Sequence, residues 1–376
     1  MSAVTRYSFD QIGKESIIGH PDRLKPIRIL RLNANASNAA VHFMNLKKHI
    51  LGFSIFLPIL LSACSDQSTD RQYVIKFSHV VAADTPKGLS AELFKQKVDE
   101  RLGGQVVVEI YPSSQLMSDD DSIEALAFNE IQMTAVSVSK YNRFTKKLQV
   151  FDLPFLFNDM DAVGRFLEHE ETDRLLGVLD DKGLMGLGFW PSGLKQLSAN
   201  TPLLEPEDAR GRSFRIQESD VFEAQFLTVD AVPQKLAFGE VYQALQVGTI
   251  DGQDNTWSNI YSEKIYEVQD YITETNHNLM VYIWMVNTEF WQRLPEAIQD
   301  ELEVIVDEVN AEVMAMAIEI NANDRETIVQ NDPDKLLQLT PSQLEQWREA
   351  MKPVWDRFRD EIGEEVIAAA LEANNS

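Results

Sequence analysis

One cysteine, Cys64, stands in 376 residues, so no disulfide can form within the chain and no multi-cysteine metal site can be built. Histidine is sparse too: beyond residue 63 only His79, His169 and His277 occur. His169-Glu170 begins like the His-Glu-x-x-His zinc motif, but Asp173 holds the place of the second histidine, and no metal is expected. Gly186-Leu187-Gly188 fails as a dinucleotide fingerprint because Pro191 replaces the last glycine. There is no Gly-x-Ser-x-Gly elbow and no Gly-x-x-x-x-Gly-Lys phosphate loop. The common enzyme classes and their cofactors therefore lack their groups here. Positive charge is the other shortage. The chain carries a net −25; residues 1–63 hold eight Lys or Arg against three Asp or Glu, so the rest carries −30. Such a field repels nucleic acid and anionic lipid, and an anionic ligand has to be captured by local cations inside a cleft. The same acidity also fits a plain solvated surface.

What is present is enough for two cores: 44% hydrophobic residues and 9% aromatics over this length suit two domains. Near the start, Lys47-Lys48 precede an apolar run, Ile50 to Leu61, too short to span a bilayer, and Leu61-Ser62-Ala63-Cys64 follows. This resembles a bacterial lipoprotein signal, which implies lipidation of Cys64, a polar tether over 64–72 and an anchor outside the cytoplasm. An ordinary secretory signal with a cysteine nearby is the alternative. Residues 1–43 show no apolar period and read as sequence upstream of a signal that starts at about Met44.

Beyond the tether, Tyr73–Ser78 reads as a strand, and Asp84-Thr85-Pro86 starts a helix that Gly103-Gly104 ends. Val106–Tyr111 is a second strand, Asp119–Phe128 a helix and Ile131–Val138 a third strand, an α/β order that predicts a parallel sheet. Phe151–Phe157 is an aromatic knot broken by Pro154. Residues 160–182 read as one charged amphipathic helix, 184–190 as a strand, 202–208 as a crossing to a second lobe and Met280–Asn287 as a strand crossing back. A long helix follows Leu294-Pro295, with apolar residues from Ile298 to Ile320 at helical spacing, and a last helix begins at Thr340-Pro341 and bends at Lys352-Pro353. The expected organisation is lobe I over 73–199 and about 283–322, and lobe II over 200–282 and about 323–376.

The stretch from Gly211 to Asn259 carries the chemistry. Arg215 lies between Phe214 and Ile216 on a short strand, a non-titrating cation in apolar surroundings. Its planar fork suits a carboxylate, with Phe238 and Asn255 completing a pocket, although an internal salt bridge also explains it. Phe238 reads equally as core filler, Asn255 as a turn residue, His79 as a satisfied strand-end histidine and Lys87 as a surface lysine. Lys195 sits, like Arg215, beside a strand among apolar residues.

The blocks Phe77-Ser78-His79-Val80, Asp84-Thr85-Pro86-Lys87-Gly88, Phe151 to Phe157, Lys195 to Asn200, Phe214 to Gln217, Ala237 to Gln246 and Asp251 to Asn255 carry a likeness. They resemble the substrate-binding proteins of tripartite ATP-independent periplasmic (TRAP) transporters, most of all the C4-dicarboxylate branch, across nearly the whole mature chain. The resemblance implies a two-lobed periplasmic-binding-protein-like α/β fold with crossing strands and a long bridging helix, closing on its ligand. It implies no enzyme but a periplasmic monomer that delivers malate, succinate or fumarate to one large and one small membrane subunit. A sensory lipoprotein, or an anchored enzyme acting on organic acids, is the alternative. On the family pattern Arg215 binds a substrate carboxylate, while Asn255 and Phe238 orient the ligand. Lys87, Ser137, Lys195 and His79 lie in cleft-facing blocks as candidates for the second carboxylate, with Trp257 bearing on ligand length. Asp254 and Thr256 around Asn255, Val136 before Ser137, and Ser192 depart from the branch's usual residues and leave the acid open.

Overall fold

The computed structural model describes residues 72–375. Residues 1–71, and with them the signal, Cys64 and nearly all of the expected tether, lie outside the described residues. The first strand, β1 (Tyr73–Ser78), leads into helix α1 (Pro86–Leu102), whose start is set by Thr85: its hydroxyl accepts from the Gly88 amide at 3.2 Å, and Pro86 occupies the first turn. The chain returns as β2 (Val106–Tyr111), passes through α2 (Asp119–Ala127), capped by Ser118, and enters β3 (Met133–Ser137). These three strands pair in parallel, as the α/β order predicts.

The single helix expected over 160–182 is two helices, α3 (Met160–Leu167) and α4 (Glu170–Leu176), followed by a 3-10 turn. Asp159 caps the first, and the His169 imidazole caps the second by accepting from the Glu171 amide at 3.1 Å. The residue that looked like half a zinc motif therefore restarts a helix, which a hydrophobic period cannot foresee. Strand β4 (Leu184–Leu194) then runs four residues past its expected end.

Only Lys195 separates β4 from β5 (Gln196–Ala199), and β5 already belongs to the other sheet. That second sheet gathers β6 (Ser213–Ile216), followed by α5 (Asp220–Thr228), then β7 (Val232–Lys235), α6 (Val241–Gln246), β8 (Gly252–Asn255), α7 (Trp257–Ser262) and β9 (Tyr271–Glu274). Strand β10 (Leu279–Asn287) crosses back and lies antiparallel between β3 and β4. The first-lobe sheet is thus ordered β2-β1-β3-β10-β4, mixed rather than all parallel. The first crossing falls at Lys195, ahead of the expected 202–208, and the second just before Leu279, at the head of the strand read over Met280–Asn287. The Lys195 amide donates to the Asn278 carbonyl at 2.8 Å, a pairing across the chain that alternation within either strand does not reveal.

After α8 (Thr288–Gln292) comes α9 (Glu296–Asn331), 36 residues and about 54 Å long. Its buried stripe from Ile298 to Val313 packs in the first-lobe core, and Ile328 packs in the second. Two asparagines fasten it to β4: Asn310 donates to Leu187 O and accepts from the Trp190 indole, and Asn321 donates to Ser192 O. Gly188 permits this approach, since a Cβ there would meet the Asn310 side chain at 2.4 Å. Strand β11 (Leu336–Gln338) adds an edge to the second sheet, ordered β11-β9-β5-β8-β6-β7. The last helices do not stay together. Trp347 and Met351 of α10 (Pro341–Met351) join the second-lobe core, whereas α11 (Pro353–Ile362) and α12 (Glu364–Glu372) bury Phe358, Ile362 and Ile367 with Phe151 and Phe166 of the first. The expected assignment of 323–376 to lobe II therefore fails for the final helices, because Pro353 lets the chain turn and their apolar face finds the aromatic knot.

Candidate ligand-binding cleft

Lys87 lies in the first turn of α1 and is 1% exposed, so the surface reading fails. Its Nζ donates to the Ala135 carbonyl at 3.0 Å and sits 3.7 Å above the centre of the Tyr282 ring. No ion pair reaches it among the described residues. Burial brings its pKa down to about 8, with the Asp119 carboxylate pulling the other way. His79, just past β1, is buried with no hydrogen-bond partner of good geometry on either ring nitrogen. Burial, and then the nearby Lys87 charge, hold its pKa down to about 3, so it is neutral at physiological pH.

Arg215 projects from β6 of the other lobe, while its neighbours Phe214 and Ile216 enter the hydrophobic core with Phe226, as strand alternation requires. It is 2% exposed. Nε donates to the Leu236 carbonyl at 3.1 Å and the guanidinium lies 5.8 Å from the centre of the Phe238 ring. Burial disfavours its charge, and the carboxylates of Asp254 and Asp119 favour it. No salt bridge reaches Arg215 among the described residues. Phe238 is half-buried on a 3-10 turn, so it is not plain core filler. Asn255 closes β8 fully buried: its Oδ1 accepts from the Thr256 amide and from Asn259 Nδ2 at 2.8 Å, while its own Nδ2 is left without a partner.

The internal salt bridge that composition made plausible for Arg215 is formed instead by Lys195. Its Nζ meets Asp254 at 3.1 Å, approaches Gln217 at 3.5 Å and covers the Phe222 ring at 3.7 Å. His277 Nε2 lies 3.4 Å from the same carboxylate, long for a hydrogen bond, while its Nδ1 is 2.7 Å from Thr275 Oγ1. Burial alone would raise the Asp254 pKa, but Lys195 and then His277 hold it well below the usual carboxylate range. Ser137 also turns inward: it bonds Ser139, which donates to Asp152 at 2.7 Å, and Ser219 at the start of α5 donates to the other Asp152 oxygen. Burial pushes Asp152 up to about 6. Trp257 is buried against Arg325 and lines a groove of about 310 Å³ with Gly193, Leu194, Gln196 and Asn321.

Three groups in this cluster escaped the sequence reading. Tyr282 on β10 carries Lys87 on its face, and its hydroxyl, pushed up to about 12 by burial, accepts from Asn259 Nδ2 at 3.3 Å. A polar-tipped ring in the otherwise apolar run Met280–Val286 was the available signal. Asn259 was hidden in a short helix. Asp119 was hidden in the acidic triplet Asp119-Asp120-Asp121, which reads as a solvated first turn. Val80, Asp119 and Lys140 from one lobe and Ala237, Phe238 and Gly239 from the other line a cavity of about 20 Å³, so the two lobes approach each other there. No group of three or more His, Cys, Asp or Glu could hold a metal among the described residues.

Lys87 and Arg215, buried and without ion pairs among the described residues, come one from each lobe, and the Asp119 carboxylate acts on both. Residues 77–361 match the model of the bacterial extracellular solute-binding proteins, family 7. The chain belongs to that family. It is therefore a binding protein and not an enzyme. The C4-dicarboxylate-binding periplasmic protein DctP of Shewanella loihica is 48% identical over 300 residues, covering 80% of this chain and 89% of the relative. The DctP of Vibrio cholerae is 44% identical, with 81% and 91% covered. Among solved structures, a TRAP periplasmic solute-binding protein of Shewanella oneidensis with bound succinate superposes with a TM-score of 0.79 at 47% identity, covering 81% of this chain and all of that one. One from Pseudomonas aeruginosa with bound L-malate gives 0.74 at 47% identity, with 76% and 99% covered. The two-lobed α/β architecture is that of these binding proteins.

Proposed function

We propose that this protein is the extracytoplasmic receptor of a TRAP transporter, taking up a C4-dicarboxylate such as succinate, malate or fumarate and passing it to the membrane subunits. The observation that carries the reading is the pair Lys87 and Arg215: each is buried, each comes from a different lobe, and neither has a carboxylate partner within salt-bridge distance among the described residues. A charge buried without a counter-ion is costly, and a diacid lying between the lobes offsets that cost at both ends. Arg215 takes one carboxylate by its planar fork beside Phe238. The free Nδ2 of Asn255 donates to the same end, and Lys87 above Tyr282 takes the other. Neutral His79 lies beside Lys87 as a hydrogen-bonding group. Lys195, engaged with Asp254, and Ser137, engaged with Ser139, hold the walls in place, and Trp257 supports the second lobe near Asn255. The names and bound acids of the relatives support this ligand class.

The Leu61-Ser62-Ala63-Cys64 run supports a lipid anchor on Cys64 at the periplasmic face of a membrane. Mass spectrometry of the mature N-terminus, against a Cys64→Ser chain, tests the anchor. The ligand is tested by thermal shift and calorimetry against C4-diacids, 2-oxo acids and sugar acids. A C4-diacid at a hundred times its Kd is expected to stabilise the fold by about 2.7 kcal/mol. No response to any diacid, with a response to a monocarboxylate, would refute the two-cation reading.

A further inference from the structure

We infer that Asp119 reads the ligand: a bound diacid must bring a hydrogen against its carboxylate, from the ligand's own 2-hydroxyl where it has one and otherwise from a proton taken up on binding. This inference rests on the C4-diacid reading above. Asp119 opens α2, where a helix N-terminus favours an acid, but it is 8% exposed while its neighbours reach solvent. Asp120 holds Lys140 at 2.6 Å, and among the described residues Asp119 has no ion pair and its buried Oδ1 has no donor. It borders the opening beside Phe238. The charges that act on it come from every side: Lys87 on α1, Lys140 after β3 and Arg215 on β6, with Asp120 as a like charge beside it; Asp119 in turn acts on Tyr141 and Tyr282.

The charge count is what makes this acid matter. Lys87 and Arg215 bring two positive charges, and an ionised Asp119 cancels one of them, so a dianion meets a single net positive charge. An unpaired carboxylate beside an arriving anion repels it unless a hydrogen lies between the two. Burial already favours the protonated form of Asp119. A 2-hydroxy diacid supplies the hydrogen itself, donating from its hydroxyl to Oδ1. Succinate has no such donor, and its binding moves one proton from solvent onto Asp119 with no bond otherwise made or broken.

Titration calorimetry of the full chain with succinate and with L-malate, in buffers of different ionisation enthalpy between pH 5.5 and 7.5, counts the protons. Succinate is expected to take up a proton, with an affinity that falls by up to about tenfold per pH unit once Asp119 is ionised, while malate takes up fewer. Asp119→Asn offers a donor at every pH. It is expected to bind succinate about three- to tenfold more tightly than the native chain at pH 7.5, to take up no proton and to narrow the preference for malate. A gain of affinity does not arise from a damaged fold. Unchanged or weaker succinate binding in Asp119→Asn overturns the inference, as does proton uptake that persists there and vanishes in His79→Gln. Diacid binding that ignores Asp119 removes this inference alone, whereas no diacid binding to the native chain removes the receptor reading with it.

Discussion

Two buried cation sites lie a short way apart in the second lobe and its border, and they are built on opposite plans. Lys195 has a carboxylate at 3.1 Å, a glutamine and an aromatic face around it; Arg215 has one backbone carbonyl and a ring. The first is complete as the chain folds. On the proposed function, the second is completed by the ligand. Burial by itself therefore does not mark a binding residue, and what separates the two is whether the counter-ion is part of the chain.

The sharpest way to break this contrast is to cut the complete pair. Lys195→Ala leaves Asp254 buried without its ion-pair partner, and a loss of about 3–5 kcal/mol is expected in urea unfolding. The double change Lys195→Met with Asp254→Asn, which leaves no charge behind, is expected to recover much of it. Equal stability of the single and double variants contradicts the pairing.

Arg215→Ala should behave the other way round. Because no salt bridge of Arg215 is broken among the described residues and the cost of burying its charge is removed, its unliganded melting temperature is expected to stay the same or rise. Succinate affinity is expected to fall by about one to two orders of magnitude, since a charge-assisted hydrogen bond contributes roughly 1.5–3 kcal/mol. Calorimetry beside a melting curve separates the two effects, and a variant that melts lower with unaltered affinity moves Arg215 into the structural class.

Lys87 sharpens the comparison through pH. Its folded pKa of about 8 lies below the unfolded value near 10.4, so the unfolded chain holds the extra proton between them. The cost of burying the cation, on the order of 3 kcal/mol, is present below pH 8, and stability rises as pH climbs from about 8 to 10.4. Lys87→Met is expected to be more stable than the native chain at pH 7 and to lack that rise. Ligand affinity runs in the opposite sense, weakening above about pH 8 as the cation is lost. His79 acts at the acid end: its pKa is lowered to about 3, so the unfolded chain binds its proton first, and stability is lost as pH falls below 6.5. His79→Gln should reduce the acid slope by up to ~1.4 kcal/mol per pH unit in denaturation measured from pH 6.5 to 4.

The sequence made the strands and the long helix readable because their apolar periods are set by local geometry. It made Arg215 readable because a cation flanked by Phe214 and Ile216 has to leave the core on the opposite face of its strand. What it hid depends on partners far along the chain. The split of one helix into α3 and α4 is decided by a histidine cap, and the two crossings by the Lys195–Asn278 hydrogen bond. The return of α11 and α12 to the first lobe is decided by Phe151 and Phe166, about two hundred residues earlier. Asp119 was out of reach for the same reason, since nothing local distinguishes it from Asp120 and Asp121. Whether Lys195 or Arg215 was the paired cation could not be read either, because Asp254 lies dozens of residues from both.

The crossing itself has a mechanical consequence. One residue joins β4 to β5, and its amide is bonded to Asn278, the last residue before β10, so these two strand connections between the lobes, beside those made by α9 and by the α10–α11 turn, are zipped together. A pair of straps fastened in this way resists twisting and sliding and yields along a single axis. Opening and shutting then become motion along one coordinate, and the entry of a ligand should appear in stopped-flow fluorescence as one exponential, with every tryptophan reporting the same rate.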